Sequence, residues 1–361
     1  MTRGWAAFTL ILGSILACDG RDERNREALV NADAGVASDA GRACEWTPLD
    51  LATSPTVNEE YVRPQVTDEA IDQLVNHHHL VHEPEGPLRR TEVVLLLAGV
   101  GSGTNSATRL LGAISRAGFR AVSLAFVNEF SVDHYCERLP DIDDDCYGDV
   151  LREMIYGDTE QTGLLRIGRA NAVFNRISKL LLHLRRTRGA ERWGDVVDEE
   201  GVVDWRRVAV MGGPQCGRLA AYLSRDIEMA RAVLVSRFGS ALGAPEEADE
   251  ARLAPWHTSP RATPAERTYA IWHGDSASAP GAHLVATRYG LDAFGPVTDV
   301  DGRNPPYDCA HLLRTRQTPI GVEDGMVRAD ESLVHDRYLP LDAEGQPLLT
   351  PAYLYALIAL P

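Results

Sequence analysis

The chain has 361 residues, 44% of them apolar and 24% charged, which is ordinary globular composition with enough length for one large core or two small ones. Its formal charge of −16 and pI near 5.1 exclude sequence-independent nucleic-acid binding, because that activity needs a basic face to displace counterions from phosphates.

The first residues read as an address rather than as structure. Arg3 precedes an apolar run from Trp5 to Ala17, too short to span a bilayer and matching the charged and apolar regions of a secretory signal. The run ends Ile15, Leu16, Ala17, Cys18, which resembles a bacterial lipobox, so Cys18 is expected to carry a lipid whose buried methylenes hold the protein on a membrane of the cell envelope. Residues 18–43 are mostly Asp, Glu, Arg, Ala, Gly and Asn, a composition with little to bury, and are expected to form a disordered tether. The expected organisation is a signal peptide over 1–17, the tether over 18–43, and one α/β domain over 44–361 with its core at about 91–355.

Without Cys18, the cysteines are Cys44, Cys136, Cys146, Cys216 and Cys309, in a compartment where disulfides persist. Five is odd, so at least one stays unpaired or bridges to another molecule. Cys136 and Cys146 flank an acidic loop and are expected to bond; the other pairings are not legible. His77 to His79, with His82 nearby, have no spaced carboxylate or thiol partner, so they read as solvated or edge histidines and not as a metal site.

Thr91–Ala98 is a continuous apolar run of the kind found in a strand buried on both faces. The glycine-rich turn Gly99–Gly103 follows, then a helix over Thr104–Ala117 and a second strand over Ala121–Phe126. Ile167, Ala170, Phe174, Ile177, Leu181 and Leu184 recur at helical spacing and predict a long amphipathic helix over 165–188. A strand at Arg207–Met211, a helix from Cys216, and strands at Ala232–Ser236 and Thr268–His273 continue the alternation. This pattern predicts a doubly wound, mainly parallel sheet with helices on both faces.

Ligands of such sheets collect at the carboxyl ends of the strands. The turn after Met211, in VAVMGGPQCGRLAAYL (208–223), has the strand, glycine turn and helix order of a nucleophile elbow. With LLLAGVGSGTNS, the cysteines at 136 and 146, the helix carrying Asn171 and Arg176, LDAFGPV (291–297), PPYDCAHLL (305–313) and DRYLPLDAEGQP, it resembles a bacterial α/β-hydrolase-fold family whose elbow reads Gly-His-Ser-Gln-Gly-Gly. The resemblance covers roughly residues 91–355. It implies an acid after the strand that follows the elbow and a histidine in the Pro-Pro-Tyr block, which fall on Asp275 and His311.

On this alignment Gly213 stands at the histidine of the elbow and Pro214 at the serine, while Gly212 and Gln215 match. Shifting the register by one puts Gln215 at the centre, so neither register supplies a nucleophile. Proline fixes φ near −65°, whereas an elbow holds its central residue at a strained, usually positive φ. Pro214 is therefore expected at the first position of the following helix. Two residues further on, a helix has turned by about 200°, so Cys216 is expected to point into the core. Ser102 is expected to be a backbone-bonding turn residue. His257, His283 and His335 show no motif and read as surface or loop residues, and His273 as a strand-end residue that caps or packs.

The function expected from these residues is a degenerate hydrolase fold that binds a small molecule, a polymer or an envelope protein through a cleft lined by Gly99, Gly101, Gly213 and Gln215. The alternative is an ester or amide hydrolase with Cys216 or Ser102 attacking, His311 as base and Asp275 orienting it. No Walker loop or dinucleotide fingerprint is present, and neither a cofactor nor a metal is expected.

Overall fold

The computed structural model describes Cys44, Trp46, Thr47 and residues 55–136, 145–158, 165–214, 216–239, 253–317 and 329–359. Contacts divide the chain into Met1–Ala37 and Ser38–Pro361, and the described residues all lie in the second unit. The signal, Cys18 and the whole tether fall outside them.

The domain is built on a nine-stranded sheet. Its strands are β1 (Val57–Val62), β2 (His79–Pro84), β3 (Val93–Leu97), β4 (Arg120–Leu124), β5 (Val208–Gly212), β6 (Arg231–Val235), β7 (Thr268–His273), β8 (Thr298–Asp299) and β9 (Leu312–Thr315). They lie in the order β1-β2-β4-β3-β5-β6-β7-β9-β8. β2 runs antiparallel to β1 and β4, and every other pairing is parallel. The fold is α/β-hydrolase-like.

Strand side chains point alternately to the two faces, and β3 and β5 are apolar at every position for that reason. Val93, Leu95 and Leu97 of β3 enter one core with Val208 and Val210 of β5, while Val94, Leu96, Ala209 and Met211 enter the other. The first core is covered by α2 (Cys146–Tyr156), α3 (Val173–Arg188), α4 (Gly217–Asp226) and α5 (Ala279–Arg288). The second lies under α1 (Thr108–Arg116) and α6 (Thr350–Ile358). The long helix predicted from residue 165 begins at Val173, because Asn171 turns its side chain back: its Oδ1 accepts the N–H groups of Asp72 and Gln73, and its amide donates to Ile167 O.

Cys136 and Cys146 are bonded, and Cys44 pairs with Cys309. Among the described residues no helix is long and apolar enough to cross a membrane.

Candidate functional site

The elbow is present as backbone geometry. Strand β5 crosses the start of α4 so closely that a Cβ on Gly212 would lie 2.3 Å from Cys216 O and 2.6 Å from Gly217 Cα; only glycine fits. Gly213 N–H donates to Leu97 O at 2.8 Å, and Gly217 N–H closes the turn onto Gly213 O at 2.8 Å. Pro214 sits inside this closed turn and is not among the positive-φ residues. It does not occupy the first helical position expected for it, since the helix proper starts at Gly217 with Cys216 as its N-cap.

The Gly99–Gly103 turn stands beside it. A Cβ on Gly99 would meet Pro214 O at 3.1 Å, Pro214 Cδ at 3.6 Å and Ser102 Oγ at 3.6 Å, so Ser102 and Pro214 converge on the same glycine. Gly101 takes φ 69° and donates its N–H to Asn128 O. The buried Asn128 amide in turn donates to Gly99 O at 2.8 Å and Ser102 O at 3.2 Å, which fixes the turn. Gln215 and Cys18 lie outside the described residues.

The remaining partners expected for a catalytic centre are not assembled. His311 immediately precedes β9 and is therefore at the amino-terminal edge of the parallel sheet, whereas Asp275 follows the last residue of β7. At about 3.3 Å per residue, the length of β7 separates them. His311 is a packed core residue: its Nδ1 donates to Thr268 O at 2.9 Å and Ala265 O at 3.2 Å, and its ring is stacked between Tyr269 and Phe294. Burial lowers its pKa to about 4. Asp275 is half-exposed and paired with Arg316. The Asp275–His311 pair expected from the sequence is thus contradicted by strand polarity: the Pro-Pro-Tyr block enters β9 instead of leaving it.

Cys216 is buried, 1% exposed, and is the free thiol among the described cysteines. Burial pushes its pKa up to about 12, which disfavours the thiolate that a nucleophilic role would need. His257 is buried against Trp256, with Nδ1 2.6 Å from Tyr289 Oη, and is not a surface residue. His79 and His82 are buried in β2 as well. His79 Nδ1 accepts Ala125 N–H, and His82 lies 3.3 Å from Glu59, so the solvated reading of these two is also corrected. No group of three or more His, Cys, Asp and Glu among the described residues could hold a metal.

The segment after β9 returns to the carboxyl ends, which no sequence motif indicated. Asp336 N–H donates to Ser106 O at 2.7 Å, and its carboxylate accepts Arg109 N–H at the start of α1. Ser278 Oγ, before α5, donates to Asp330 at 3.2 Å. His335 directly precedes Asp336, and its N–H donates to Glu331 O at 2.8 Å. Its Nδ1 accepts Arg337 N–H at 3.2 Å, leaving the proton of the neutral ring on Nε2. A serine-activating histidine needs the opposite tautomer, with Nδ1–H held by a carboxylate.

Burial raises the Asp336 pKa to about 6 from 3.8. The folded state then binds more protons than the unfolded chain between about pH 4 and 6, so this group makes stability fall as pH rises through that window. Asp336→Asn keeps an acceptor for α1 and removes the desolvated charge. Urea denaturation at pH 7 is expected to find the variant as stable as the wild type or more so, by about 1 kcal/mol after allowance for solvent screening. A loss above 1 kcal/mol would show that the charge itself holds the segment down.

No family model matches the chain, and no curated protein matches it. Among solved structures it is similar to a putative dienelactone hydrolase from Klebsiella pneumoniae (11% identity, 73% of this chain and 86% of that one, TM-score 0.36). A thermostable esterase from Pseudomonas putida aligns at 12% identity over 81% of this chain and 78% of its own, TM-score 0.35. A sugar hydrolase from Lactococcus lactis aligns at 10% over 83% and 96%, TM-score 0.39. The hydrolase-like assignment follows from the strand order and from the strand–turn–helix crossing at Gly212–Gly217.

Proposed function

We propose that this chain is a non-catalytic member of the hydrolase fold, held in the cell envelope by a lipid on Cys18, and that it binds a ligand or a partner at the carboxyl ends of its strands. The observation that carries the reading is Pro214 at the turn of an otherwise retained elbow. A proline, whose ring nitrogen is a tertiary amide, has no hydroxyl or thiol to attack a carbonyl, and its φ excludes the strained conformation a nucleophile adopts there. The position of His311 at the opposite edge and the Asp275–Arg316 pair support the same reading. What such a site retains is the binding half of hydrolase chemistry: a tight glycine turn and a helix start at the carboxyl ends of the strands.

Ser102, beside Pro214, is the one side chain that keeps the alternative of a relocated nucleophile open to test. The purified domain is expected to hydrolyse short-chain nitrophenyl esters no faster than buffer, with Ser102→Ala and Cys216→Ala indistinguishable from it. Turnover that disappears in Ser102→Ala would replace binding by catalysis. For the anchor, cells fed an alkyne-tagged palmitate are expected to label the wild type and not Cys18→Ala. Equal label in both would remove the lipid from the account and leave the domain reading standing.

A further inference from the structure

The two disulfides differ in what surrounds them. Cys136 and Cys146 are 0% and 5% exposed, at the end of the short helix Val132–Cys136 and the start of α2, and both belong to the core that α2 to α5 cover. A thiol reaches that bond only if the core opens. Cys44 and Cys309 are half-buried at the amino-terminal edge of the sheet, where Cys309 stands just ahead of β9.

The long closure does not protect this second bond. Its 265-residue separation matters in the unfolded chain, whereas in the folded one β1 and β9 are already held in one sheet, and the bond adds only the attachment of Cys44. The backbone beside it favours opening. Tyr307, Asp308 and Cys309 take φ of 49°, 55° and 63°, left-handed values unfavourable for any residue with a side chain. Breaking a bond that helps to hold such a run relieves part of that cost, and strained, accessible disulfides are the readily reduced ones. The two sulfurs are also inequivalent. Cys44 N–H donates to Cys309 Sγ at 3.2 Å, which puts a donor where a thiolate would form. The adjacent Asp308 carboxylate, which would oppose that charge, is paired with Arg303 at 2.8 Å. Cys309 is therefore the better leaving sulfur, and Cys44 the one to be attacked.

We propose that Cys44–Cys309 is a reducible, regulatory disulfide and that Cys44 is the point at which a dithiol oxidoreductase attacks it. A thiolate of the reductant bonds to Cys44 Sγ, the S–S bond breaks, and its electron pair leaves on Cys309 Sγ, which takes a proton from water. The reductant's second thiol then displaces Cys44, so the protein gains two electrons and the reductant is left as a disulfide. Reduction changes where the amino-terminal stretch joins the domain. Closed, the join is at the entry to β9; open, the first strand to hold it is β1, towards the other end of the sheet, beyond the contact of Trp46 with Tyr355. For a chain anchored through its amino terminus, that is a switch in which end of the sheet is tethered. The bond lies at the edge opposite the strand carboxyl ends, so this proposal stands or falls apart from the reading of those ends.

The test is incubation of the intact, oxidised protein with reduced glutathione, a monothiol that leaves a mixed disulfide behind, followed by N-ethylmaleimide and peptide mass mapping. Glutathione is expected on Cys44 and maleimide on Cys309, with the Cys136–Cys146 bond opening at least tenfold more slowly. The buried Cys216 should stay unmodified, which reports that the core has remained closed. With dithiothreitol in place of glutathione, Cys44 and Cys309 should both take maleimide. Glutathione on Cys309 and not on Cys44 would overturn the assignment of the attacked sulfur. Opening of Cys136–Cys146 first, of both bonds together, or of Cys44–Cys309 only as Cys216 becomes modified would overturn the proposal as a whole.

Discussion

Removing both Cys44 and Cys309 by substitution to alanine is expected to cost about 5 kcal/mol of stability, against about 3 kcal/mol for the Cys136 and Cys146 pair. The difference comes from loop length. Cross-linking restricts the unfolded chain in proportion to the logarithm of the closed loop, and the sequence separations are 265 and 10 residues. The longer bridge also anchors a costly piece of backbone. Tyr307, Asp308 and Cys309 take φ of 49°, 55° and 63° in succession, each unfavourable for a non-glycine residue. The disulfide, the Arg303–Asp308 pair and the edge contact of Tyr307 with Tyr355 hold that run against the amino-terminal edge of the sheet. Trp46, two residues beyond Cys44, packs on Tyr355 as well, so losing the bridge also loosens that contact. Equilibrium denaturation of the two double variants checks the order. A loss below 1 kcal/mol for the Cys44 and Cys309 pair, or the reverse ranking, would contradict it.

His311→Ala is expected to destabilise the domain by about 3–4 kcal/mol, for a reason unrelated to catalysis. The substitution empties the space between Tyr269 and Phe294 and strips the buried Thr268 carbonyl and the partly buried Ala265 carbonyl of their donor; large-to-small core changes of this kind cost about 2–5 kcal/mol. Asparagine can present an N–H near the position of Nδ1, so His311→Asn should recover part of the loss. The pH dependence separates a packed histidine from a cleft one. The folded ring titrates at about 4 and the unfolded one at 6.5, so below pH 6.5 the unfolded chain takes up the extra proton. Stability is full above pH 6.5 and falls as pH drops toward 4. His79, lowered to about 3, and His257, lowered well below its usual value, act in the same direction. In His311→Asn the acid-side slope should shrink without vanishing. An unchanged slope would mean that the ring is not held neutral by burial.

The central strands were legible because burial on both faces demands unbroken apolar runs. The sequence boundaries for β3, β4, β5, β6 and β7 fall within three residues of the observed ones. β1 and β2 were not, since the outer strand is largely polar and half-exposed, VNEEYV, and β2 carries two histidines and a glutamate whose burial depends on partners elsewhere in the chain. The strand–turn–helix crossing at Gly212–Gly217 and the buried Cys216 could be read locally, because strand, turn and helix are contiguous there. His311 could not. Whether a histidine before a short apolar run lies at the entry or the exit of that strand depends on the direction of β9 in the sheet, and no local pattern records direction. Arg316 occupies Asp275 from 41 residues away, and Asp336 reaches α1 across 227; neither contact leaves a periodicity. Ser236 was passed over because a strained φ has no signature in residue type.

The most direct measurement of the central claim, a hydrolase fold without a working nucleophile, is labelling of the intact protein with a fluorophosphonate, followed by mass spectrometry of its peptides. The wild type is expected to form no adduct at any serine or cysteine. Pro214→Ser is also expected to form none, because His311 lies at the opposite edge of the sheet and Asp275 is paired with Arg316. A stoichiometric adduct on the wild type, at Ser102 or anywhere else in the cleft, would contradict the account.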